Sequence, residues 1–458
     1  MHIHILGICG TFMGGVAVLS HSSGYKVTGC DLNVYPPMST QLKKLGVSIH
    51  AGFGSDQLAI NPDHIVVGNV MSRGVGIIEK MLNNNYSYSS GPDWLASRVL
   101  NDYHVIAIAG THGKTTTASM IAWILEDAGL NPGFLIGGVP LNFGISARIG
   151  KSKFFIVEAD EYDTAFFDKR AKFVHYKPQT LVLNNLEYDH ADIYKNLDDI
   201  KWQFHQLLRM MPANGNIIAN GADENLQSLL NMGCWTPIQK FGIDNNNDWV
   251  AKFNDNLEKY IEIKNPNGLS VDTEWQMGGK HNLENALAAI AAVESVGINF
   301  ENAVKSLSRF EGVKRRMELT SSIEDINIYD DFAHHPTSIK TSITSMCRRN
   351  PGRRVLVAVE PKSNTMKLGI HNSKLVDSLR DGDLIWLYQP NDMNCSLNFL
   401  LEYFGKKIQI HTDYDQLVIS MSKEVRNGDQ IIFMSNGSFG SARQKLSKIL
   451  QRSTNLNS

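Results

Sequence analysis

Val105-Ile106-Ala107-Ile108-Ala109-Gly110-Thr111-His112-Gly113-Lys114-Thr115-Thr116-Thr117 carries an apolar, β-branched strand into a glycine turn, then Gly-Lys-Thr, then a helical pattern from about Thr116. Strand, turn and helix in that order suit an ATP phosphate cradle. Gly110, Thr111, His112 and Gly113 let backbone N–H groups close around the phosphates, with Thr116 opening the helix. Lys114 places a point charge on the β- and γ-oxygens, and the Thr115 hydroxyl is a ligand for Mg²⁺. The stretch is a shortened form of GxxxxGK[ST], because Ile108 stands where the first glycine would be.

Outward from the cradle, strand-like runs alternate with amphipathic segments, the pattern of an α/β chain with parallel sheets. One block begins with His2–Leu6 and continues through Lys26–Asp31 and His64–Val67. A second starts at Val105 and includes Phe154–Glu158 and Thr180–Leu183; a third includes Arg354–Glu360, Asp383–Tyr388 and Gln430–Met434. Boundaries near Asn101–His104 and Gly312–Lys314 divide the chain into domains 1–103, 104–313 and 314–458. The 458 residues allow two to four domains, each with its own core.

The bulk composition, 43% hydrophobic and 20% charged, is that of a soluble globular protein. A formal net charge of −2 and the lack of long basic runs argue against nucleic acid as a partner. Five scattered cysteines without CxxC spacing argue against disulfide scaffolds and zinc sites. No apolar run approaches the ~18 residues of a membrane span, and the opening His2–Leu6 reads as a strand, not a leader. A cytoplasmic protein without membrane partners, monomeric or weakly homo-oligomeric, is expected.

In the first block, Gly7-Ile8-Cys9-Gly10 follows a strand and opens a helix, and Asp31 ends the next strand. Small residues, a helix N-terminus and a ribose-binding acid are the parts of a nucleotide-diphosphate site. Alone, this block would also suit an NAD-dependent oxidoreductase; an ATP cradle downstream makes that alternative weaker.

Acids cluster at strand ends in the second block, in Glu158-Ala159-Asp160-Glu161 and in Asn184-Asn185-Leu186-Glu187-Tyr188-Asp189-His190. Both ends should face the cradle, where a carboxylate, Thr115 and phosphate oxygens would suffice for Mg²⁺. Lys280-His281-Asn282-Leu283-Glu284-Asn285-Ala286 opens an alanine-rich helix on which His281 could stack on a purine and Asn285 pair with its edge. Asp330-Asp331-Phe332-Ala333-His334-His335-Pro336 follows another strand. Its paired acids and histidines suit a metal or acid–base pair, or one acid holding a ribose while the histidines pack.

Taken in order, these motifs resemble the Mur ligase family, ATP-dependent makers of amide bonds in cell-wall precursors. The resemblance spans about residues 7 to 440. It implies a three-domain α/β architecture: an N-terminal Rossmann-like UDP-binding domain, a central P-loop ATPase domain and a C-terminal Rossmann-like domain. Within the family, Asn33–Ser39, Ala165–Arg170 and Glu360–Lys367 look like the members that join UDP-N-acetylmuramate to the tripeptide L-Ala-γ-D-Glu-meso-diaminopimelate. The alternative is a member that adds L-alanine.

The resemblance implies that Lys114 and His190 serve catalysis, and that Thr115, Glu158 and His190 hold the metal. Asn185, His281, Asn285 and Asp331, with Arg315 or Arg316, would contact ATP. Gly7, Gly10 and Asp31 would belong to the UDP end. Lys169, Arg170, Lys362, Ser363, Asn364 and Lys367 are candidates for holding the tripeptide. Many family members place a second Mg²⁺ with a carbamylated lysine; that position falls at or near Phe204 here. His190, His334 and His335 are candidate general bases.

Overall fold

The computed structural model describes residues 1–34 and 38–457, with side chains of 453–457 left aside, so Tyr35, Pro36 and Pro37 of the Asn33–Ser39 stretch lie outside it. The first sheet is parallel, in the order Ser48–Ala51, Lys26–Asp31, His2–Leu6, His64–Val67, Tyr88–Ser90. Strand order reverses beside His2–Leu6, which opens a crevice at the carboxyl end of that strand. The Gly7 turn and the helix Thr11–Ser22 sit at that crevice.

The central sheet has ten strands. The cradle strand, His104–Ala109, lies between Phe154–Glu158 and Thr180–Leu183, parallel to both. Register pairs Ile108 with Glu158 and Ala109 with Leu183. The glycine turn, the Glu158 acids and the Asn184–His190 loop therefore leave the sheet on one edge. The strands that carry the cradle are parallel, as expected of an α/β chain, and both edges of this sheet add antiparallel strands. Trp249–Phe253, Tyr260–Lys264 and Ser270–Glu274 form a meander at one side, and Gly133–Leu135 pairs with Ala147–Arg148 at the other.

The helix Lys114–Asp127 packs against Lys280–Ser295 in one apolar cluster. Ala286, Ala288, Ala289, Ala291 and Ala292 on the second helix are all fully buried. Such small side chains let backbones approach closely, so the two helix N-termini arrive together at the cradle. Phe204, on the helix Leu197–Met210, is 1% exposed and meets Phe173 edge-on at 4.9 Å.

The third sheet runs Glu318–Ile323, Ile326–Asp331, Gln430–Met434, Val355–Val359, Leu384–Tyr388, Ile408–His411, antiparallel only at the first pair. Asp331, Glu360 and Ser435 stand at neighbouring carboxyl ends. Chain passes from the second sheet to the third through Gly312 (φ +90°), where Leu141 N donates to Gly312 O and Lys314 N to Val139 O, both at 3.0 Å. No helix among the described residues is long and apolar enough to cross a membrane.

Candidate active site

Gly113 takes φ +80° and starts the helix Lys114–Asp127 with no side chain capping its N-terminus. Uncapped first-turn N–H groups and the helix dipole make a ready anion site. Glycine is also required by space: a Cβ here would lie 2.2 Å from Asn285 Oδ1 and 2.8 Å from Asn184 Nδ2. Beneath the turn, Asn285 Oδ1 accepts from Thr117 Oγ1 at 3.1 Å, while Asn184 Nδ2 donates to Thr117 Oγ1 at 3.0 Å. Asn285 thus braces the cradle, a role its spacing did not suggest.

Asn185 does the same from the other side. His112 N donates to Asn185 Oδ1 at 2.7 Å, Asn185 Nδ2 donates to His112 O at 3.2 Å, and Thr111 N donates to Asn185 O at 3.1 Å. Gly110, at φ +136°, lies against the Asn185 backbone.

Lys114 Nζ donates to Gly110 O at 2.5 Å and to Glu161 Oε2 at 2.9 Å. The other Glu161 oxygen meets His190 Nε2 at 3.0 Å, and Tyr194 OH donates to the Glu161 carbonyl. Burial opposes each charge. For Glu161, attraction to Lys114 and then the His190 contacts outweigh burial and hold the carboxyl at about 2. For Lys114, the same balance, led by Glu161 and Glu158, ends with the pKa raised. Burial likewise pulls His190 down, but its bond to Glu161 and the nearby Asp189 leave it raised.

Thr115 Oγ1 donates to Glu158 Oε1 at 2.9 Å, and Glu158 Oε2 accepts from Gly137 N at 2.7 Å. Two hard oxygens thus converge at the cradle mouth, a donor set that fits Mg²⁺. His190, expected beside them, is instead turned onto Glu161. Sequence reasoning missed Glu161, because four residues from Glu158 to Glu161 include three acids and spacing does not say which one faces the lysine.

Arg316 reaches the cradle, with its guanidinium 3.3 Å from Thr115 Oγ1 and stacked 4.8 Å over Phe332. Arg315 turns the other way, donating to Ser435 O at 2.7 Å and lying 3.4 Å from Asp330. A cavity of about 320 Å³ opens between the second and third sheets, lined by Gly113, Thr116, Asn185, His281, Asn285, Arg316 and Asp331. Burial raises the Asp331 pKa even though Ser342 donates to it at 2.5 Å. Burial, then Arg316 and His112, push His281 down to about 4, so it faces the cavity as a neutral ring.

A second cavity, about 420 Å³, is lined by Gly7, Gly10, Asp31, Asp160, Tyr162 and Lys172. Asp31 accepts from Cys9 N at 2.9 Å and Asn33 N at 3.1 Å, so its carboxylate shapes the glycine turn. Lys172, unremarked in the sequence between Ala171 and Phe173, is the cation here; it meets Asp160 at 3.2 Å and covers the rings of Phe12 and Tyr162.

Lys169 and Arg170 are engaged locally, Lys169 with Asp163 at 2.6 Å and Arg170 with Asp168 at 2.7 Å. Lys362 and Lys367 border a cavity of about 260 Å³ with Glu360, Asp392 and the stacked pair Tyr388–Tyr414. Ser363 caps the short helix Asn364–Lys367, Asn364 donates to Asp192 at 3.0 Å, and Thr365 donates to Asp189 at 2.8 Å. That loop therefore rests on the turn carrying His190.

Matches to known proteins cover the whole of this layout. Residues 2–103 match the Mur ligase family catalytic domain, 108–293 the Mur ligase middle domain and 315–437 the Mur ligase glutamate ligase domain. A protein of Haemophilus influenzae named UDP-N-acetylmuramate–L-alanyl-γ-D-glutamyl-meso-2,6-diaminoheptandioate ligase is 44% identical over 97% of this chain and 98% of its own. Its Escherichia coli K12 namesake is 46% identical over 97% of both. A crystal structure of a murein peptide ligase from Psychrobacter arcticus superposes with a TM-score of 0.76 at 43% identity, covering 98% of this chain and 99% of that one.

Proposed function

The chain belongs to the Mur ligase family of ATP-dependent amide-bond-forming ligases, and from that membership we propose that it joins UDP-N-acetylmuramate to the tripeptide L-Ala-γ-D-Glu-meso-diaminopimelate in peptidoglycan recycling. The observation that carries the acceptor is the end-to-end likeness, at 44% and 46% identity, to two proteins named for that reaction.

The sugar's lactyl carboxylate attacks the γ-phosphorus of ATP, giving an acyl phosphate and ADP. The tripeptide's free amine then attacks the activated carbonyl, a general base takes the amine proton, and phosphate leaves from the tetrahedral intermediate. Little covalent work falls to the protein, so positioning and charge neutralisation supply the rate. Lys114 exchanges Glu161 for the β- and γ-oxygens, and the helix N-terminus at Gly113 receives the remaining phosphate charge. Thr115 and Glu158 are the residues that would hold Mg²⁺, which supplies Lewis-acid stabilisation of the transferring phosphoryl group when bound. His281 and Asp331 take the purine and ribose ends of the 320 Å³ cavity, and Arg316 reaches the phosphates from across the Gly312 hinge. The sugar nucleotide lies in the cavity shared by Asp31 and Lys172. Lys362 and Lys367 neutralise tripeptide carboxylates from the third unit.

Incubation with ATP, Mg²⁺, UDP-N-acetylmuramate and tripeptide tests the reading by mass spectrometry. The UDP-muramyl-tripeptide and one ADP per product are expected. ADP without that product would overturn the acceptor assignment.

A further inference from the structure

A second donor cluster lies where the second and third units meet, at the wall of the ATP cavity, which His112 and Glu187 line. His112 comes from the phosphate loop, Glu187 from the loop after Thr180–Leu183, and His335 from the N-cap of the helix Pro336–Arg349. One donor atom of each falls within 4.8 Å of the others. His112 Nε2 is 3.6 Å from Glu187 Oε1, and His335 Nδ1 is 4.0 Å from Glu187 Oε2. The His112 and His335 ring centres are 4.6 Å apart, and His371 packs edge-on against His335 at 4.5 Å.

Packing alone does not account for this group. His335 is 2% exposed, and its Nε2 is buried without a hydrogen-bond partner, as are the Nε2 atoms of His112 and His371. Each such orphan costs about 1–3 kcal/mol, and the three rings pack in one row, His112 against His335 and His335 against His371. Glu187 is oriented from outside the group: Thr337 Oγ1 donates to its Oε2 at 2.9 Å, and its backbone N donates to Thr111 Oγ1 at 2.8 Å. His335 Nδ1, the nitrogen that faces Glu187, also accepts from Thr337 N at 3.3 Å as the helix cap, a long bond that a metal ion at this nitrogen would replace. A hydrogen-bonded carboxylate beside two imidazoles has the parts of a metal site with its supporting shell.

We infer that His112, Glu187 and His335 bind one divalent transition-metal ion of the zinc class, bridging the second and third units. Two imidazoles and one carboxylate suit that class, whereas Mg²⁺ takes an all-oxygen set such as Thr115 and Glu158. Tetrahedral zinc with bonds of about 2.0–2.1 Å places its donors about 3.3 Å apart. The separations here, 3.6 and 4.0 Å from the Glu187 oxygens and within 4.8 Å among all three donors, close to that value through side-chain rotations of up to about 1.5 Å. His112 belongs to the phosphate loop and Glu187 and Thr337 line the ATP cavity, so an ion here would tie closure of the third unit to the nucleotide site.

The probe is Co²⁺, added to untagged, chelator-treated full-length protein and followed by its visible absorption. One equivalent with the intense bands of four- or five-coordinate Co²⁺ is expected, displaced by Zn²⁺ and not by Mg²⁺. Glu187→Gln and His335→Asn should weaken binding at least ~100-fold, and Thr337→Ala, which leaves all three donors in place, about 10–100-fold. Glu158→Gln should retain the bands. Melting curves identify any variant that fails to fold, and Thr337→Ala then carries the test. Weak octahedral bands alone, or bands lost in Glu158→Gln but kept in Thr337→Ala, would overturn the assignment.

Discussion

Glu161→Gln should uncouple the lysine of the phosphate cradle from the histidine beside it. The side chain is 3% exposed and uses one oxygen for Lys114 (2.9 Å) and the other for His190 (3.0 Å). Glutamine keeps the shape and one acceptor but removes the charge. Removing one member of a buried ion pair costs about 3–5 kcal/mol, and the retained hydrogen bond offsets about 1 kcal/mol. A net loss of about 3 kcal/mol, at about 2–4 °C per kcal/mol for a unit of this size, lowers the melting of the central unit by roughly 6–12 °C. The loss depends on pH in a definite way. The Glu161 pKa is depressed to about 2, so its contribution is complete above the ordinary 4.5 and fades as pH falls below that. His190 is raised, so its contribution is complete below the ordinary 6.5 and fades as pH rises through its folded value. The gap between wild type and variant is therefore widest between about pH 4.5 and 6.5. Scanning calorimetry across that range is the assay. A gap under 1 °C, or one that does not change with pH, would refute the coupled Lys114–Glu161–His190 arrangement.

Lys114→Ala should lower turnover by at least ~10²-fold, the scale for one preorganised charge contact; near-normal ADP release would remove Lys114 from the cradle. Gly113→Ala combines a left-handed backbone, costing about 1–2 kcal/mol, with the 2.2 Å clash on Asn285. Calorimetric ATP binding weakened by roughly 10-fold or more is expected from those costs, and unchanged affinity would sink the brace. Lys367→Glu should raise the tripeptide KM by roughly 10-fold, about the worth of one charged contact, while the ATP KM stays put; an unmoved tripeptide KM rules Lys367 out. Burial holds His281 and His335 down, at about 4 and about 3, so their neutral forms favour the folded state. Each therefore costs stability as pH falls below the ordinary 6.5, at about 1 kcal/mol per pH unit. Denaturant unfolding should weaken steadily from pH 6.5 towards 4, and a flat profile would contradict their burial as neutral rings.

The strands that carry the chemistry were legible because each is an apolar, β-branched run closed by a glycine or polar turn: His2–Leu6, Phe154–Glu158 and Thr180–Leu183 begin and end as read. The antiparallel meander at the edge of the central sheet was not read: Tyr260–Lys264 does alternate, with Ile261 and Ile263 buried between polar residues, but it spans five residues and its partner Ser270–Glu274 carries only Val271 as an apolar residue. Asn265-Pro266-Asn267-Gly268 between them was the available hairpin cue. Within the site, the sequence reveals a lysine on a glycine loop but not its partner. Glu161 and Glu158 differ only in which face of the turn they occupy. Arg315 and Arg316 likewise separate only once the positive φ of Arg315 (+60°) points it back into its own sheet. The meeting of His112, Glu187 and His335 depends on two loops and a helix cap from different units, and no spacing in the chain announces it.

Acceptor choice is the most direct test of the account. ADP release with ATP, Mg²⁺ and UDP-N-acetylmuramate should be measured with the tripeptide and with L-alanine as competing acceptors. The account predicts kcat/KM for the tripeptide at least ~10²-fold above that for L-alanine, as expected when charged contacts to the acceptor are missing from the smaller substrate. Equal or better turnover with L-alanine would contradict it and assign the chain to the L-alanine-adding reaction instead.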